Sequence, residues 1–184
     1  MNIAPNGSWL CETKEPHGFD EPLARAIVLQ LKEWNVIEVA DFGCGSGAYV
    51  DYLNREGITA SGYDGNPNTR KFGGSLCHVQ DLSVPFDAGA CDTVLSLEVG
   101  EHIPQQFEGV FLDNITKHAM RYVILSWFPR PGEGIGHVNE RSNDYVKEQM
   151  AARGFKSLDN VAAKLREASS LWWFKESTMA FQRA

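Results

Sequence analysis

The stretch VIEVADFGCGSG (residues 36–47) decides the fold class of this 184-residue chain. Its first five residues, 36–40, are apolar except for one glutamate, and three of them are β-branched, which predicts a strand. Three alternating glycines follow, and the apolar residues Tyr49, Val50 and Leu53 then recur at helical spacing. Glycine lets a ligand approach the backbone closely, and the start of a helix offers unpaired N–H groups. The stretch therefore predicts a strand, a ligand-binding loop and a helix.

The same alternation of strand and helix continues along the chain. Strands are predicted at 36–40, 58–63, 77–80, 93–97, 122–127, 171–174 and 178–182, and helices at 20–34, 49–57, 107–119, 142–153 and 159–168. Such alternation indicates an α/β fold with a mainly parallel sheet and helices on both faces. Ligands of these sheets bind at the carboxyl ends of the strands, near the switch point in strand order.

Acidic residues follow the ends of the predicted strands. Asp64 lies 17 residues beyond Gly47, where a carboxylate can accept both hydroxyls of a ribose, and Asp81 follows the third strand. The spacing of Gly43, Gly45 and Ala48 also satisfies a dinucleotide fingerprint, so a nicotinamide enzyme is one alternative. Asp41 counts against a nicotinamide enzyme, because a carboxylate next to the glycines repels a pyrophosphate. The same carboxylate suits a cationic amino acid group.

Four segments in order resemble motifs I to IV of the class I S-adenosylmethionine-dependent methyltransferases. They are VADFGCGSG (39–47), GYDGN (62–66), QDL (80–82) and CDTVLSLEV (91–99). The resemblance covers residues 36–155 and is closest to the small-molecule group of that family. It implies a Rossmann-like seven-stranded sheet, mostly parallel with an antiparallel last strand, and S-adenosylmethionine as the cofactor. The final run, 178–182, suits that last strand.

The resemblance also implies roles for individual residues along these motifs. Nine positions would bind the cofactor: Asp41, Gly43 and Gly45 at its methionine end, Asp64 at the ribose, Gly65, Asn66, Asp81 and Leu82 at the adenine, and Leu97 beside the sulfonium. Glu98 would border the sulfonium as well. Gly100 departs from the family pattern, because many members carry a bulky apolar residue there.

The segment Glu98-Val99-Gly100-Glu101-His102 carries two carboxylates and an imidazole within one turn. It resembles a segment of the ubiquinone-biosynthesis O-methyltransferases and of the Hen1-type RNA 2′-O-methyltransferases. Together with His137, which follows the next strand, the residues Glu98, Glu101 and His102 form a candidate site for Mg²⁺ or Mn²⁺. Without a metal, His102 or His137 is the candidate general base, with Glu98 beside them, since an imidazole suits proton removal at neutral pH.

The methyl acceptor must bind to loops, because the chain has no room for an inserted domain. Trp9, His17, Trp127 and Arg130 are the candidate acceptor residues, and Trp172 and Trp173 could add to an aromatic wall. The net charge of −7 and the lack of a basic, aromatic-rich patch count against RNA as the acceptor. The preferred hypothesis is methyl transfer to a small molecule at oxygen; a non-catalytic cofactor-binding module is the alternative, and RNA 2′-O-methylation is less favoured.

Length and composition predict one methyltransferase domain over residues 1–184. It divides into an N-terminal arm and helix (1–35), a cofactor-binding core (36–155) and C-terminal strands (156–184). None of the four cysteines forms a C-x-x-C pair, and no signal peptide or membrane-spanning segment is visible. These features predict a cytoplasmic protein that does not bind membranes, and they leave the oligomeric state open.

Overall fold

A computed structural model of the chain describes residues 2–14 and 17–184. The predicted irregular arm, residues 1–18, includes the three remaining positions, Met1, Glu15 and Pro16, which lie outside the described residues. Within the arm, two short strands, β1 (Asn2–Ile3) and β2 (Trp9–Leu10), pair antiparallel. The prediction of a wholly irregular arm was therefore wrong, because strands of two residues are too short to show a periodic pattern.

The rest of the described chain alternates between strands and helices. The strands are β3 (Glu38–Phe42), β4 (Thr59–Asp64), β5 (Cys77–Val79), β6 (Cys91–Ser96), β7 (Ala119–Ser126), β8 (Phe155–Ser157) and β9 (Thr178–Arg183). The helices are α1 (Glu21–Glu33), α2 (Ala48–Arg55), α3 (Thr69–Gly73), α4 (Glu108–His118), α5 (Asn143–Ala151), α6 (Asp159–Ala168) and α7 (Trp172–Ser177). Short 3₁₀ turns at Gly74–Leu76 and Gln105–Phe107 precede β5 and α4.

Seven strands of the described residues form one sheet in the order β5-β4-β3-β6-β7-β9-β8. The pairs among β3 to β7 are parallel, whereas β9 runs antiparallel to both of its neighbours, β7 and β8. This confirms the predicted Rossmann-like sheet with an antiparallel last strand. Strand order reverses between β3 and β6, so the ligand crevice of such a sheet lies where these two strands end.

Two hydrophobic clusters cover the two faces of the sheet. One contains the apolar face of α1, with Leu23, Ile27 and Leu31 fully or almost fully buried, and the other contains Phe111, Leu112 and Ile115 of α4. Asp20 begins α1 as predicted, since its side chain accepts a hydrogen bond from the Leu23 N–H. Helices on both faces hold the strand ends in register, which gives the loops that follow the strands a rigid base.

The structure corrects the prediction in the C-terminal region. Leu171–Phe174 was predicted as a strand, but residues 172–177 form α7. Phe174 and Ser177 are buried whereas Trp172 is exposed, as on a helix with one buried face. The four consecutive apolar residues 171–174 hide this periodicity in the sequence. The seventh strand is instead β8 at Phe155–Ser157, too short to be recognised by alternation. No helix in the described part of the chain has the length and apolar character needed to cross a membrane.

Candidate active site

One cavity of about 500 Å³ opens at the carboxyl ends of β3 and β6. The loop between β3 and α2 forms its floor with Gly43, Gly45 and Ser46. Gly45 has a φ of +53°, and a Cβ built there would lie 2.5 Å from Nδ1 of His17. Only glycine therefore fits at this position without strain or contact with the arm. Two of the three alternating glycines, Gly43 and Gly45, thus line a cavity, as a ligand-binding loop requires.

Two aspartates, Asp41 buried and Asp64 half-buried, lie at the ends of β3 and β4, beside this loop. Asp41 is the fourth residue of β3 rather than part of the loop, and burial raises its pKa well above the usual range. The Asp64 carboxylate accepts hydrogen bonds from the Gly45 N–H at 2.8 Å and the Asn66 N–H at 2.7 Å. Burial nevertheless raises the pKa of Asp64. Both side chains line the cavity, so the predicted acidic positions face a shared space.

The adenine-side residues divide into two groups. Gly65 and Leu82 line the cavity. Asn66 does not: it is fully buried, and its amide donates a hydrogen bond to the Cys11 carbonyl oxygen in the arm. Asp81 also lies outside the lining, where its carboxylate accepts hydrogen bonds from the Ser83 N–H and hydroxyl. Both side chains shape the rim instead of facing the cavity.

The segment after β6 is held in a constrained conformation. Glu98 has a φ of +55°, which side-chain-bearing residues rarely adopt, and its N–H donates a hydrogen bond to the Ser126 hydroxyl. Its carboxylate accepts a hydrogen bond from the Ser177 hydroxyl at 2.9 Å. Leu97 and Glu98 both line the cavity, as the motif comparison predicts for residues near the sulfonium.

Glu101, His102 and His137 come together at this end of the cavity. One ligand atom from each lies within 4.8 Å of the others. Glu101 is fully buried, and neither carboxylate oxygen has a hydrogen-bond partner among the described residues. Burial and then repulsion by Glu98 raise the Glu101 pKa well above its usual range. The predicted convergence of the two histidines is present, but Glu98 lies outside this cluster of three.

The ring of His102 is oriented by backbone and arm contacts. Its Nδ1 lies 3.1 Å from the Gly136 carbonyl oxygen, and the Trp9 Nε1–H donates to the same Nδ1 at 3.3 Å when that atom carries no proton. In the other tautomer, with the proton on Nδ1, the ring donates to Gly136 instead of accepting from Trp9, and the Nε2 lone pair is available. Burial lowers the pKa of His102 to about 4, so the ring is neutral at pH 7. Burial also lowers the pKa of His137.

The arm covers the cavity from the N-terminal side. Trp9 and His17 both line it, with ring centroids 5.9 Å apart. Nε2 of His17 is buried without a hydrogen-bond partner within the described chain, and burial lowers the pKa of this ring. The arm thus brings two of the predicted acceptor residues to the cavity.

Trp127 and Arg130, the other two predicted acceptor residues, do not line the cavity. Trp127 is fully buried, donates a hydrogen bond to the Asn139 carbonyl oxygen at 2.7 Å, and packs where a Cβ on Gly100 would overlap its ring. Gly100 therefore departs from the family pattern because it makes room for Trp127. The Arg130 guanidinium is engaged by both Glu176 carboxylate oxygens.

Further residues complete the lining of the cavity. Trp172 and Trp173 of α7, the candidates for an aromatic wall, lie on its far side, and Phe128 and Ile135 line it from the loop after β7. Cys44 and Val99 also line it, although sequence reasoning gave neither a role. Phe128 follows a buried strand and resembles any core aromatic residue in sequence, so only the course of the chain after β7 shows that it reaches the site.

Comparison with known proteins agrees with this geometry. Residues 40–117 match the family model described as "Methyltransferase domain". The probable chloroplastic tocopherol O-methyltransferase of Oryza sativa subsp. japonica is 32% identical over 125 residues, which cover 60% of this chain and 34% of that protein. The chain thus spans about a third of the length of this curated relative.

Two solved structures show the same fold at low sequence identity. Magnesium protoporphyrin IX methyltransferase of Synechocystis PCC 6803, with bound S-adenosylmethionine, has a TM-score of 0.69 at 18% identity and covers 88% of this chain and 78% of its own. An amino pentose methyltransferase of Micromonospora echinaspora, also bound to S-adenosylmethionine, has a TM-score of 0.69 at 13% identity, with 88% and 90% covered. Residues 40–117 therefore resemble a methyltransferase domain, and the chain has the Rossmann-like fold of the class I S-adenosylmethionine-dependent methyltransferases.

Proposed function

We propose that this chain binds S-adenosylmethionine and transfers its methyl group to a small-molecule acceptor at an oxygen atom. One observation carries the proposal: the glycine loop with Asp64 and the His102–His137 pair open into the same cavity. The family match, and the solved relatives that hold S-adenosylmethionine, support the choice of cofactor. The name of the rice relative, an O-methyltransferase, supports oxygen as the acceptor atom.

Acidic groups of this chain suit the two positive charges of the cofactor. Asp41 and Asp64 lie at the glycine loop, and Glu98 lies near the end of β6. Burial disfavours their charged forms, so a bound ammonium or sulfonium group would stabilise the carboxylates as it is itself stabilised. Asp64 would in addition accept hydrogen bonds from the ribose hydroxyls.

The two histidines supply the proton acceptor that a hydroxyl acceptor needs. When bound, the cofactor supplies an electrophilic methyl group, so the protein must align the reactants and exclude water. Without a bound cation, the lowered pKa values leave both rings neutral at pH 7, with a lone pair that can take the hydroxyl proton. Since Gly136 can hold Nδ1 of His102 as the donor, Nε2 is the atom that would receive it.

The cofactor proposal is tested by calorimetric titration with S-adenosylhomocysteine. Asp64→Ala is expected to weaken binding at least tenfold, about 1.4 kcal/mol. Asp51→Ala, which removes an exposed carboxylate paired with Arg55 on α2, is the matched control and should bind like the wild type. Absence of binding by the wild type at millimolar concentration contradicts the proposal.

Catalysis is tested separately with labelled S-adenosylmethionine and a panel of hydroxyl compounds. His102→Gln and His137→Gln are expected to reduce methyl transfer about 10²- to 10⁴-fold for whichever ring is the base. Their binding of S-adenosylhomocysteine should stay within a factor of about three of the wild type, well under 1 kcal/mol. Binding without methyl transfer to any acceptor would identify the chain as a non-catalytic module.

We also propose that Glu101, His102 and His137 bind a divalent cation. The buried Glu101 carboxylate without a partner within the described chain, and its two imidazole neighbours, fit such a site. Two imidazoles and one carboxylate suit Mn²⁺ better than Mg²⁺, which prefers oxygen ligands. When bound, the cation would lower the pKa of an acceptor hydroxyl.

Thermal unfolding with and without Mn²⁺ tests this metal site. Mn²⁺ is expected to raise the Tm of the wild type, and Glu101→Gln should abolish the increase. Glu148→Gln is the control, because Glu148 is exposed on α5 and lies outside the cluster. A Tm and an activity that are unchanged by strong chelators and by added Mn²⁺ would contradict the proposal.

A further inference from the structure

The cavity offers no cation to an anionic acceptor. Among the described residues that line it, five carry carboxylates and none is lysine or arginine; the carboxylates are Asp41, Asp64, Glu98, Glu101 and Glu133. The two nearby arginines are already engaged. Arg130 is bound by Glu176, and Arg141 donates a hydrogen bond to Glu108 at 2.8 Å. A carboxylate or phosphate entering the cavity would therefore lose water without gaining a partner.

The wall beyond the histidines is aromatic. The Phe128 ring centroid lies 4.7 Å from that of His137 and 5.8 Å from that of Trp172. Trp172 and Trp173 are also 5.8 Å apart, and Ile135 lies at the mouth with 69% of its surface exposed. The wall thus runs without interruption from the proposed base to the surface, and half of the Trp172 surface is free to be covered.

Aromatic walls of this kind favour flat apolar ligands. Ring faces bind other rings by offset or edge contacts, which add to the affinity gained from the buried area. The Arg130 guanidinium lies over one face of the Trp172 ring, 4.9 Å from its centroid, and so stabilises the position of that ring. A rigid, pre-formed wall selects a ligand by shape, because little ordering of side chains is left to oppose binding.

We propose that the acceptor is an uncharged compound with a flat apolar body, which lies against Phe128 and Trp172 and presents its hydroxyl to His102 and His137. Without a bound cation, the acidic lining, which contains no lysine or arginine among the described residues, excludes acceptors that carry a carboxylate or phosphate on that body. The proposal rests on the function proposed above and adds the chemical class of the acceptor. Glu133, in the loop over the mouth, and Trp172 are the residues that set this specificity.

Binding to the protein saturated with S-adenosylhomocysteine tests the proposal without requiring turnover. The probes are 2-naphthol, its carboxylated analogue 6-hydroxy-2-naphthoate, and decahydro-2-naphthol, which has the same apolar body but is not flat. Titrations are made with a chelator, so that a bound cation cannot attract the carboxylate. We expect 2-naphthol to bind at least tenfold more tightly than either of the other two probes.

Two variants with matched controls connect the selectivity to the named residues. Trp172→Leu is expected to weaken the binding of 2-naphthol at least fivefold, whereas the affinity for decahydro-2-naphthol should change less than twofold. Trp34→Leu is the control, since Trp34 stacks on Tyr122 away from the cavity. Glu133→Gln should improve binding of 6-hydroxy-2-naphthoate about threefold, whereas Glu167→Gln, on the exposed face of α6, should not.

Each result separates the two proposals. If the carboxylated or the non-flat probe binds as tightly as 2-naphthol, or if no probe binds while S-adenosylhomocysteine does, the acceptor class is wrong and the cofactor proposal stands. The acceptor class is also wrong if Trp172→Leu and Trp34→Leu behave alike. Failure of S-adenosylhomocysteine itself to bind overturns the proposed function, and the acceptor class with it.

Discussion

Alanine at Gly45 tests whether the glycine loop is the contact surface for the cofactor. Gly45 has a φ of +53°, and an added Cβ would lie 2.5 Å from Nδ1 of His17. Ordinary contacts are about 3.5–4.0 Å, so the ring or the loop must move by about 1 Å. Gly57, after α2, has a φ of +84° and nothing within 4 Å of an added Cβ. Gly57→Ala therefore isolates the backbone strain.

Gly45→Ala should cost at least as much stability as Gly57→Ala, because it adds an overlap with His17 to the backbone strain, and the two should differ in binding. A side chain in the left-handed region costs about 1–2 kcal/mol, which lowers the Tm of a chain this long by about 2–8 °C. We expect both variants to show this decrease in calorimetric scans. Only Gly45→Ala should weaken the binding of S-adenosylhomocysteine, at least tenfold or about 1.4 kcal/mol, because the alanine methyl group enters the floor of the cavity. Equal affinities of the two variants would refute the assignment of the loop.

Three further predictions concern stability and the corrected residues. Burial by itself raises the pKa of Asp20, but its carboxylate accepts hydrogen bonds from the first turn of α1 and from the loop before α7. These hydrogen bonds lower the pKa overall. The stability contributed by the Asp20 carboxylate is therefore complete above pH 4 and is lost as the pH falls. Asp20→Asn should lower the free energy of unfolding in urea by about 1.5–3 kcal/mol at pH 7 and by less at pH 3. Gly100→Ala should lower the free energy of unfolding by about 1–3 kcal/mol, because the added methyl group overlaps Trp127. Gly109→Ala has open space around it in α4 and should raise the free energy of unfolding by up to about 1 kcal/mol. Equal Tm values of the two variants would contradict the packing argument. Arg130→Ala should leave the Tm and the S-adenosylhomocysteine affinity almost unchanged, because its ion pair with Glu176 lies near the surface and is screened by water. A tenfold loss of affinity would restore Arg130 as a site residue.

Local sequence predicted the parts of this protein that depend on neighbouring residues. The strand, glycine loop and helix at 36–55 follow from side-chain periodicity and from the backbone freedom of glycine, both of which act over a few residues. The helix boundaries at Asp20 and Ser142 were predictable for the same reason, because each side chain caps an N–H three residues on. The sheet class followed from the alternation of these local elements.

Tertiary packing decided which side chains reach the cavity. Asn66 and Asp81 occupy the predicted strand ends but turn toward Cys11 and Ser83, because better hydrogen-bond partners lie on those sides. Trp127 lies in the core because Gly100, distant in sequence, leaves space for it.

The convergence of Glu101, His102 and His137 also needed the fold. Residues 101 and 137 meet because parallel strands end at one edge of the sheet, and the Val138 and Asn139 N–H groups both donate to the Glu101 carbonyl oxygen. The sequence alone thus determined the cofactor loop and the class of fold, since these arise from short-range backbone preferences. The acceptor wall and its lack of cations were decided only by tertiary structure, because they depend on contacts between α7, the arm and the loop after β7.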